Sequence, residues 1–447
     1  MNILLLNQCF YPDVVSTAQH LSDLARALVQ RGHRVTVVAS RRGYDNPALR
    51  FAAREQWHGV EVRRIATLNL GKSSRWRRAV GFASFWVSCI LELLVVPRCD
   101  VVVALTSPPL ISFLAALLVR ARGGRLVLWL MDLNPDEALA AGWLRADSFS
   151  ARALMACQRY SLRTAARIVV LDRFMAQRVA CNGAATDRLR IIPPWSHDDA
   201  VRYDCAGRLA FRARHHLSGK YVIMYAGNHS PCHPLDTLLE AARRLQPDPD
   251  IAFCFIGGGS EFTRVQAFAA AHRLPNITCL PYEPLDKLSA SLSAADAHVV
   301  VMGDAFTGIV HPCKPYNILA VGLPLFYIGP EQSHIADLLA QLGPQAMPPW
   351  RCRKGDDEVQ EPRGRPAHGQ VRHGEVDALV ALIRQGAEAG FAGPSIQERT
   401  LAARLSKHTL LPQLIELIEG LAEPAPAAVA LAADPTPVPP AAVLTRG

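Results

Sequence analysis

The sequence predicts an α/β protein made of two doubly wound parallel-sheet domains that face each other across a cleft. Short apolar runs alternate with segments of helical periodicity, which is the pattern of a parallel sheet covered by helices. This alternation stops before residue 200 and restarts near residue 221. At 447 residues the chain is also too long for one ordinary core.

The first half begins with an apolar run at 3–6. We interpret it as a core strand, because the basic start and the cleavage site of a signal peptide are both missing. Apolar residues then recur at helical spacing from Leu21 to Leu28, and a second strand follows at 35–39. Further strands are predicted at 60–65, 101–105, 126–130 and 168–171. We therefore predict a first domain over residues 1–197.

The second half repeats the pattern, and we predict a second domain over residues 198–395. Its predicted strands lie at 221–227, 251–256, 277–280 and 297–302. Its predicted helices lie at 236–246, 260–273 and 285–294. Three appendages are expected. They are a charged exposed insertion at 350–370, C-terminal helices at 396–421 that could cross back to the first domain, and a disordered Ala/Pro-rich tail at 422–447.

Composition narrows the class of partner. The net charge is +9, yet no run of Lys and Arg is interleaved with aromatic residues, which disfavours nucleic acid. A phosphorylated substrate or an anionic membrane face fits the charge better. The eleven cysteines contain no Cys-x-x-Cys pair. We therefore expect reduced thiols, no zinc site and no disulfide framework, as is typical of the cytoplasm.

Residues 72–96 could contact a membrane. Basic residues and Trp76 precede a mostly apolar run at 79–96, which Glu92 interrupts. Such a helix can lie on a bilayer or dip into it, whereas spanning is disfavoured by the short run and its carboxylate. An ordinary core helix with a basic loop before it is the alternative. The predicted location is the cytoplasm, with peripheral association with the inner face of the membrane left open.

The most informative segment is 308–329, which joins a polar loop, a short helix and a buried strand. It follows the predicted strand at 297–302, so the loop should emerge at the carboxyl edge of a parallel sheet, where such sheets bind ligands. Pro312 suits the first turn of a helix, whose free N–H groups favour an anion such as a diphosphate. Lys314 adds a full charge. The segment therefore predicts a nucleotide-sugar site.

Short motifs follow one another along the chain in a defined order. Those of the first half lie at 7–28, at 32–37, in Thr106-Ser-Pro-Pro-Leu110 and in Asp132-Leu-Asn-Pro-Asp136. Those of the second half are Tyr225-Ala-Gly-Asn228, Phe255-Ile-Gly-Gly-Gly259, Ala294-Ala-Asp-Ala297 and Pro312-Cys-Lys-Pro-Tyr-Asn317. Together they resemble the retaining glycosyltransferases of family 4, which have two Rossmann-like domains (the GT-B fold). The motifs at 106–110 and 132–136 resemble the branch that makes bacterial surface and capsular polysaccharides.

This resemblance implies transfer of a sugar, with retention, from a nucleotide-sugar donor that we expect to be UDP-linked. The donor would bind the second domain, and the acceptor, a glycan or lipid-linked saccharide, would bind the first. The donor is a co-substrate, so no separate cofactor is expected. Because no Asp-x-Asp metal motif is evident at the predicted donor site, we also expect no metal.

The chain departs from the family pattern at three places. Ile309 and Asn317 stand where members often carry two glutamates. The segment 228–233 offers only Asn and His where a basic pair often holds the diphosphate, and Ser16 and Thr17 replace two glycines. These departures leave two other interpretations open: a catalytically inactive binding subunit, and a nucleotide-sugar 2-epimerase on the same scaffold.

Three residues are candidates for catalysis. Lys314 could neutralise the charge that grows on the leaving diphosphate. Asp132 follows a buried strand and could position the acceptor hydroxyl or stabilise positive charge at the anomeric carbon. His311 could donate to a phosphate oxygen. Asp136 could serve like Asp132 or cap a helix, and for His20 we favour a structural role.

The candidates for donor binding share a position next to a predicted strand end or helix start. Backbone N–H groups at 308–310 would bind the diphosphate, the glycine turn at 257–259 would let the donor approach closely, and Tyr282 lies in the region expected to line the base pocket. The full set is Ser16, Thr17, Gly227, Asn228, Gly257, Gly258, Tyr282, Gly308, Ile309, Val310 and Asn317.

Overall fold

The computed structural model describes residues 1–44, 48–66, 75–196, 201–343, 368–389, 394 and 396–421, without the side chains of residues 75–79 and 82. The described chain forms two parallel-sheet α/β domains, so the predicted fold class is confirmed.

The first domain contains an eight-stranded sheet with the order β3-β4-β2-β1-β5-β6-β7-β8. Its strands are β1 Asn2–Leu6, β2 Arg34–Ser40, β3 Arg54–Trp57, β4 Val60–Ile65, β5 Val101–Ala104, β6 Arg125–Trp129, β7 Arg167–Val170 and β8 Leu189–Ile191. The strand pairs are parallel except β3, which lies antiparallel to β4 at the edge. We did not predict β3, because this partly exposed edge strand reads Arg-Glu-Gln-Trp and has no apolar run.

Six helices belong to this domain. They are α1 Ser16–Gln30, α2 Arg75–Val95, α3 Ile111–Arg122, α4 Asp136–Ala140, α5 Phe149–Thr164 and α6 Arg173–Cys181. Side-chain caps fix where two of them begin: Ser148 accepts a hydrogen bond from the Ala151 N–H before α5, and Asp172 accepts one from the Met175 N–H before α6.

The second domain contains a six-stranded sheet with the order β11-β10-β9-β12-β13-β14. Its strands are β9 Tyr221–Asn228, β10 Ile251–Gly258, β11 Ile277–Leu280, β12 Ala297–Val301, β13 Leu325–Ile328 and β14 Gly369–Val371. Its helices are α7 Cys205–Arg214, α8 Asp236–Arg244, α9 Phe262–Ala271, α10 Leu288–Ser293, α11 Lys314–Val321, α12 His334–Leu342 and α13 Val376–Ala389. Successive valines of β12 enter two different cores, with Val300 in one and Val299 and Val301 in the other, which explains the run of three.

Two further helices, α14 Ile396–Arg404 and α15 Lys407–Glu419, end the described chain. The last of them packs on α1 of the first domain, where the Lys407 ammonium lies 2.9 Å from the Asp23 carboxylate. Within the predicted insertion at 350–370, the residues up to 367 lie outside the described ones, and the prediction is wrong at its end because β14 begins at Gly369. The tail at 422–447 also lies outside the described residues.

The cysteines only partly follow our expectation. Nine of the described ones are free. Cys205 is disulfide-bonded, so the expectation of a wholly reduced set is wrong there.

Each sheet has one point where the strand order reverses. In the first sheet β1 pairs with both β2 and β5, and in the second sheet β9 pairs with both β10 and β12. The loops that leave the carboxyl ends of such strands diverge and leave a crevice for a ligand.

Candidate active site

Lys314 lies at the switch point of the second sheet. Its ammonium stands 3.6 Å from the centroid of the Tyr225 ring at the end of β9, and 3.5 Å from the Asn228 carbonyl oxygen. Helix α11 begins at Lys314 itself, so the prediction that Pro312 occupies its first turn is wrong. Pro315 takes the early helical position instead. The lysine thus stands where the β9 strand end meets a helix N-terminus.

The electrostatics of Lys314 favour an anionic ligand. The side chain is half-buried, and within the described ranges no carboxylate lies within ion-pair distance of it. Burial holds the pKa of Lys314 well below its ordinary value. A diphosphate placed beside the ammonium would restore the charged form.

Glycines lie next to this lysine, so no side chain covers the backbone there. Gly227 and Gly257 end paired strands with φ values of +126° and +137°. A Cβ at Gly257 would lie 2.0 Å from the Gly227 carbonyl oxygen, and a Cβ at Gly227 would lie 2.8 Å from the Lys314 Cε. Gly258 faces the half-exposed Tyr282 ring, 3.1 Å from the place of its missing Cβ. The positive φ favours glycine at both positions, and at Gly257 the neighbouring backbone also leaves no room for a Cβ.

Two carboxyl groups of the first domain lie on the other side of the cleft. Asp132 follows β6 and accepts a hydrogen bond from the backbone N–H of His311 in the second domain. Burial, with the neighbouring Glu137 carboxyl, raises the pKa of Asp132 to about 7. Burial also raises the pKa of Glu137, whose Oε1 lies 3.8 Å from the Cys232 thiol of the second domain. The pair therefore tends to hold a proton near neutral pH.

A small cavity of about 20 Å³ lies beside Asp132 in the first domain. Its polar lining could hydrogen-bond hydroxyl groups, and its apolar part comes from leucines in and just after β6, before α3 and in α5. The lining residues are Thr106, Leu110, Ser112, Leu128, Leu130, Asp132, Leu133, Asn134, Gln158, Ser161 and Leu162.

The start of α1 meets the start of α11 across the domain boundary. The Ser16 side chain lies close enough to the Cys313 thiol to act on its pKa, and the thiol donates to the His311 carbonyl oxygen 3.3 Å away. Thr17 is half-buried beside Ser16, and Asn317 is half-buried one turn along α11. The structure thus brings Ser16 and Lys314 to one region, which a donor between the domains would occupy.

The loop at 308–310 packs against the first domain. The N–H groups of Ile309 and Val310 both donate to the Phe306 carbonyl, and the Ile309 carbonyl accepts from the Leu133 N–H of the first domain. Gly308, with φ +68°, lies against the Phe174 backbone, where a Cβ would clash at 2.7 Å. The part we expected of these N–H groups in binding a diphosphate remains a prediction.

The three remaining polar candidates are held by other contacts. Both ring nitrogens of buried His311 have partners, described below. Asp136 accepts from Gln158 and makes no side-chain cap at the start of α4. His20 is buried, with its ring nitrogens on the Ser16 and Trp195 carbonyls.

Our sequence interpretation missed three residues near the site: Glu137, Asp172 and Tyr225 as a cation–π partner. The sequence contains a feature that could have identified two of them. Asp172 follows the buried strand β7 as Asp132 follows β6, and Tyr225 lies inside a motif that we had singled out. Nothing in the sequence pairs Glu137 with Asp132.

Two facing α/β domains with a lysine and bare glycines at one switch point and carboxyls opposite define a nucleotide-sugar transferase of the GT-B class. The model of the glycosyl transferase 4-like domain matches residues 17–195, and that of glycosyl transferases group 1 matches residues 208–327. The chain belongs to the glycosyltransferases of family 4.

Relatives and solved structures agree with this assignment. The chain is 25% identical over 335 residues to the putative colanic acid biosynthesis glycosyl transferase WcaI of Escherichia coli, covering 72% of this chain and 82% of that protein. It is 26% identical to the probable glycosyltransferase WbjE of Pseudomonas aeruginosa, covering 58% and 64%.

Two solved structures share the fold. Alr3699/HepE of Anabaena, in complex with UDP and glucose, superposes with a TM-score of 0.65 at 13% identity, covering 94% of this chain and 100% of that one. Sucrose-phosphate synthase of Thermosynechococcus elongatus gives 0.68 at 13% identity, covering 94% and 99%.

Proposed function

We propose that this glycosyltransferase moves a sugar, with retention, from a UDP-linked donor to a glycan or lipid-linked saccharide in the synthesis of a bacterial polysaccharide. The observation that carries the donor part is Lys314, a half-buried lysine without a carboxylate partner within the described ranges, at a sheet switch point. The name of one relative supports the pathway, because WcaI is named for colanic acid biosynthesis. UDP in the HepE structure supports the choice of nucleotide.

In the proposed reaction the acceptor oxygen forms a bond to the anomeric carbon as the bond between the sugar and the diphosphate breaks. The electron pair of the broken bond leaves with the diphosphate, which also takes the acceptor hydroxyl proton. Lys314 stabilises the negative charge that develops on this leaving group. Asp132, when ionised, holds the acceptor hydroxyl or stabilises positive charge on the sugar. The second domain offers Ile309 and Asn317 where carboxylates are common in the family, so we assign the acidic group of the reaction to Asp132 of the first domain.

The cavity beside Asp132 marks the proposed acceptor site. Its hydroxyl, amide and carboxyl groups could hydrogen-bond one hydroxyl of the acceptor, whose sugar ring would lie outside it in the cleft. Closure of the cleft around both substrates would exclude water that could hydrolyse the donor.

The donor proposal is tested by thermal shift with UDP-, ADP- and GDP-linked sugars, followed by product analysis. A donor at a hundred times its Kd should stabilise the fold by about 2.7 kcal/mol, and we expect this only for UDP-linked compounds. A larger shift with ADP- or GDP-linked sugars would refute the choice of UDP. Release of a 2-epimer without an acceptor would favour the epimerase, and binding without turnover would favour an inactive subunit.

We also propose that the reaction requires no metal ion. Transfer measured with excess EDTA should match transfer measured without it. Activity that EDTA abolishes and Mg²⁺ or Mn²⁺ restores would contradict this proposal.

We further propose that the first domain contacts a membrane through α2. None of the helices in the described part of the chain has the length and hydropathy of a bilayer-spanning segment. One face of α2 is nevertheless apolar and between 43% and 69% exposed, at the i, i+3, i+4, i+7, i+8 spacing of a helical stripe. This stripe consists of Val87, Ile90, Leu91, Leu94 and Val95.

The charge of the surrounding helices fits an anionic lipid surface. In sequence, α2, α3 and α5 contain eight arginines and one acidic residue, Glu92. Glu92 is paired with Arg54 and Arg63, so it does not oppose an anionic surface. Helices α3 and α5 also line the cavity beside Asp132, which would place a lipid-linked saccharide close to that residue.

Sedimentation with vesicles tests this contact. Binding is expected to phosphatidylglycerol vesicles and weakly or not at all to phosphatidylcholine vesicles. The double variant Leu91→Glu and Leu94→Glu should lose binding. Leu209→Glu, which changes an exposed leucine of α7 in the second domain, should keep it. Equal binding by both variants would exclude α2 as the contact.

A further inference from the structure

His311 joins the first domain to helix α11 through its two ring nitrogens. Its Nδ1 lies 2.7 Å from Asp172 Oδ2 of the first domain, and its Nε2 lies 2.6 Å from the Tyr316 hydroxyl on α11. Its backbone N–H donates to Asp132. One residue therefore holds two first-domain carboxyls and the helix that begins with Lys314.

The direction of one of these bonds is fixed by the chemistry of the groups, because a carboxylate can only accept. Asp172 already accepts from the Met175 N–H through Oδ1, so its position is set by α6, and its Oδ2 accepts the Nδ1–H of His311. The other ring nitrogen, Nε2, is hydrogen-bonded to the Tyr316 hydroxyl, which can donate or accept. Burial acts to raise the pKa of Asp172, but its contacts with His311 outweigh burial and lower that pKa to about 2. Asp172 is thus a fixed anionic end of the relay.

His334 completes the cluster. Its ring stacks on that of His311 with centroids 3.7 Å apart and an interplanar angle of 18°. Asp172, His311 and His334 have the side chains of a metal site. However, both nitrogens of His311 are already hydrogen-bonded, and near-parallel rings do not converge their lone pairs on one ion. The geometry fits a hydrogen-bond relay better than a metal centre.

We propose that His311 is a positioning residue, and that the Asp172–His311–Tyr316 relay fastens the 303–313 loop to the first domain and so sets Lys314 against Asp132. This inference rests on the proposed donor site at Lys314. Tyr316 lies two residues beyond Lys314, so holding its hydroxyl fixes the rotation and position of the first turn of α11. The Leu133 N–H to Ile309 C=O bond at 2.9 Å crosses the same junction and reports whether it is closed.

Hydrogen exchange measured by mass spectrometry tests the relay without any donor. In His311→Ala, peptides that contain Leu133 should exchange about tenfold faster, the size expected for losing a buried charge-assisted hydrogen bond. His311→Asn should recover most of the protection, because its amide NH₂ can donate to Asp172 from near the Nδ1 position. The control His298→Ala removes a buried histidine bonded to Leu292 within the second domain, and should leave the Leu133 peptides unchanged.

Tyr316→Phe is the milder variant if His311→Ala does not fold. It removes one hydroxyl, and the same peptides should exchange about threefold faster because one neutral hydrogen bond is lost. Unchanged exchange in Tyr316→Phe, or in a folded His311→Ala, would overturn the proposal. So would equal exchange in His311→Ala and His311→Asn, or stoichiometric zinc binding by the native protein that Asp172→Asn abolishes.

Two further measurements separate positioning from general destabilisation. UDP should bind His311→Ala with a Kd within about threefold of the native value, because the diphosphate is held by the second domain. With a UDP-sugar that is turned over, kcat should fall about tenfold while the donor KM stays nearly unchanged. A tenfold rise in KM at constant kcat would contradict a positioning role. Failure of every UDP-sugar would refute the proposed function and leave the exchange result standing.

Discussion

One wall of the cleft carries basic side chains and the other carries carboxyl groups. Burial shifts the pKa values of these two kinds of group in opposite directions. On the second-domain wall, burial lowers the pKa of Lys314, and burial together with Lys314 lowers the pKa of His229 to about 4. On the first-domain wall, burial raises the pKa values of Asp132 and Glu137. Each wall is thus held toward its neutral form. A charged diphosphate would complete the lysine wall, whereas the carboxyl wall suits a neutral hydroxyl acceptor.

The largest effect is expected from removing the charge of the lysine wall. Lys314→Met keeps the aliphatic stem over Tyr225 and should lower kcat/KM for transfer by about a hundredfold to a thousandfold, since stabilisation of the leaving group is lost. The thermal shift produced by UDP should also shrink.

The matched control is Lys220→Met, at the amino end of β9 and away from the cleft edge. Its transfer rate should stay within about twofold of the native rate. If Lys314→Met is as active as this control, Lys314 takes no part in catalysis. The proposed difference between the two walls would then be wrong.

The carboxyl wall should give the next largest effect and a dependence on pH. If Asp132 acts as the anion, the native transfer rate should rise through its pKa of about 7. Asp132→Asn should be about tenfold to a hundredfold slower and should lack that rise. Asp136→Asn, four residues further on at the start of α4 and hydrogen-bonded to Gln158, should retain the native pH profile.

The same carboxyl predicts how stability depends on pH. Its folded pKa lies above its unfolded value, so the folded state binds more protons between about pH 4 and pH 7, and the free energy of unfolding should fall as pH rises through this window. Asp132→Asn removes this contribution, so urea titrations at about pH 5 and pH 8 should differ less in the variant. An equal difference would show that Asp132 titrates normally.

The sequence predicted one member of each wall, and for the same reason. Lys314 and Asp132 both follow a buried parallel strand, so their positions depend only on the local pattern and on the rule that ligands bind at carboxyl edges. The strands themselves were predictable because both faces are buried. β3 was missed because its polar edge position leaves no such pattern.

The partners of these residues depend on tertiary contacts that no local pattern encodes. Asp172 and His311 are 139 positions apart, and their hydrogen bond exists only because two separate domains meet. The loop at 308–310 was predicted from its position at the strand end, whereas its hydrogen bonds follow from the packing of that strand against the first domain. A single sequence carries no information on how two domains pack.

A smaller effect should come from the glycines of the lysine wall. Gly257→Ala combines a strained φ with a Cβ 2.0 Å from a backbone oxygen, and should lower the free energy of unfolding by about 2–3 kcal/mol. Gly227→Ala meets only the movable end of Lys314, so it should lose less stability but also weaken UDP binding.

Gly219→Ala is the control for these two variants, since its φ is +77° and nothing lies within 4 Å of the added Cβ. It should show the backbone strain alone, about 1 kcal/mol. Urea titrations could show that Gly257→Ala lowers the free energy of unfolding no more than Gly219→Ala does. In that case β9 and β10 would not approach each other as closely as described.

The smallest effect should come from the Tyr225 hydroxyl. Tyr225→Phe removes its hydrogen bond to the Asn228 carbonyl, 3.0 Å away, and should cost about 1 kcal/mol of stability. The ring beneath the Lys314 ammonium remains, so UDP binding should be almost unchanged. Tyr225→Leu removes the ring as well and should weaken UDP binding severalfold, because an ammonium over an aromatic face gains about 1 kcal/mol. Equal UDP affinities in the two variants would show that the ring only fills space, and that the bare strand ends and α11 alone orient the lysine.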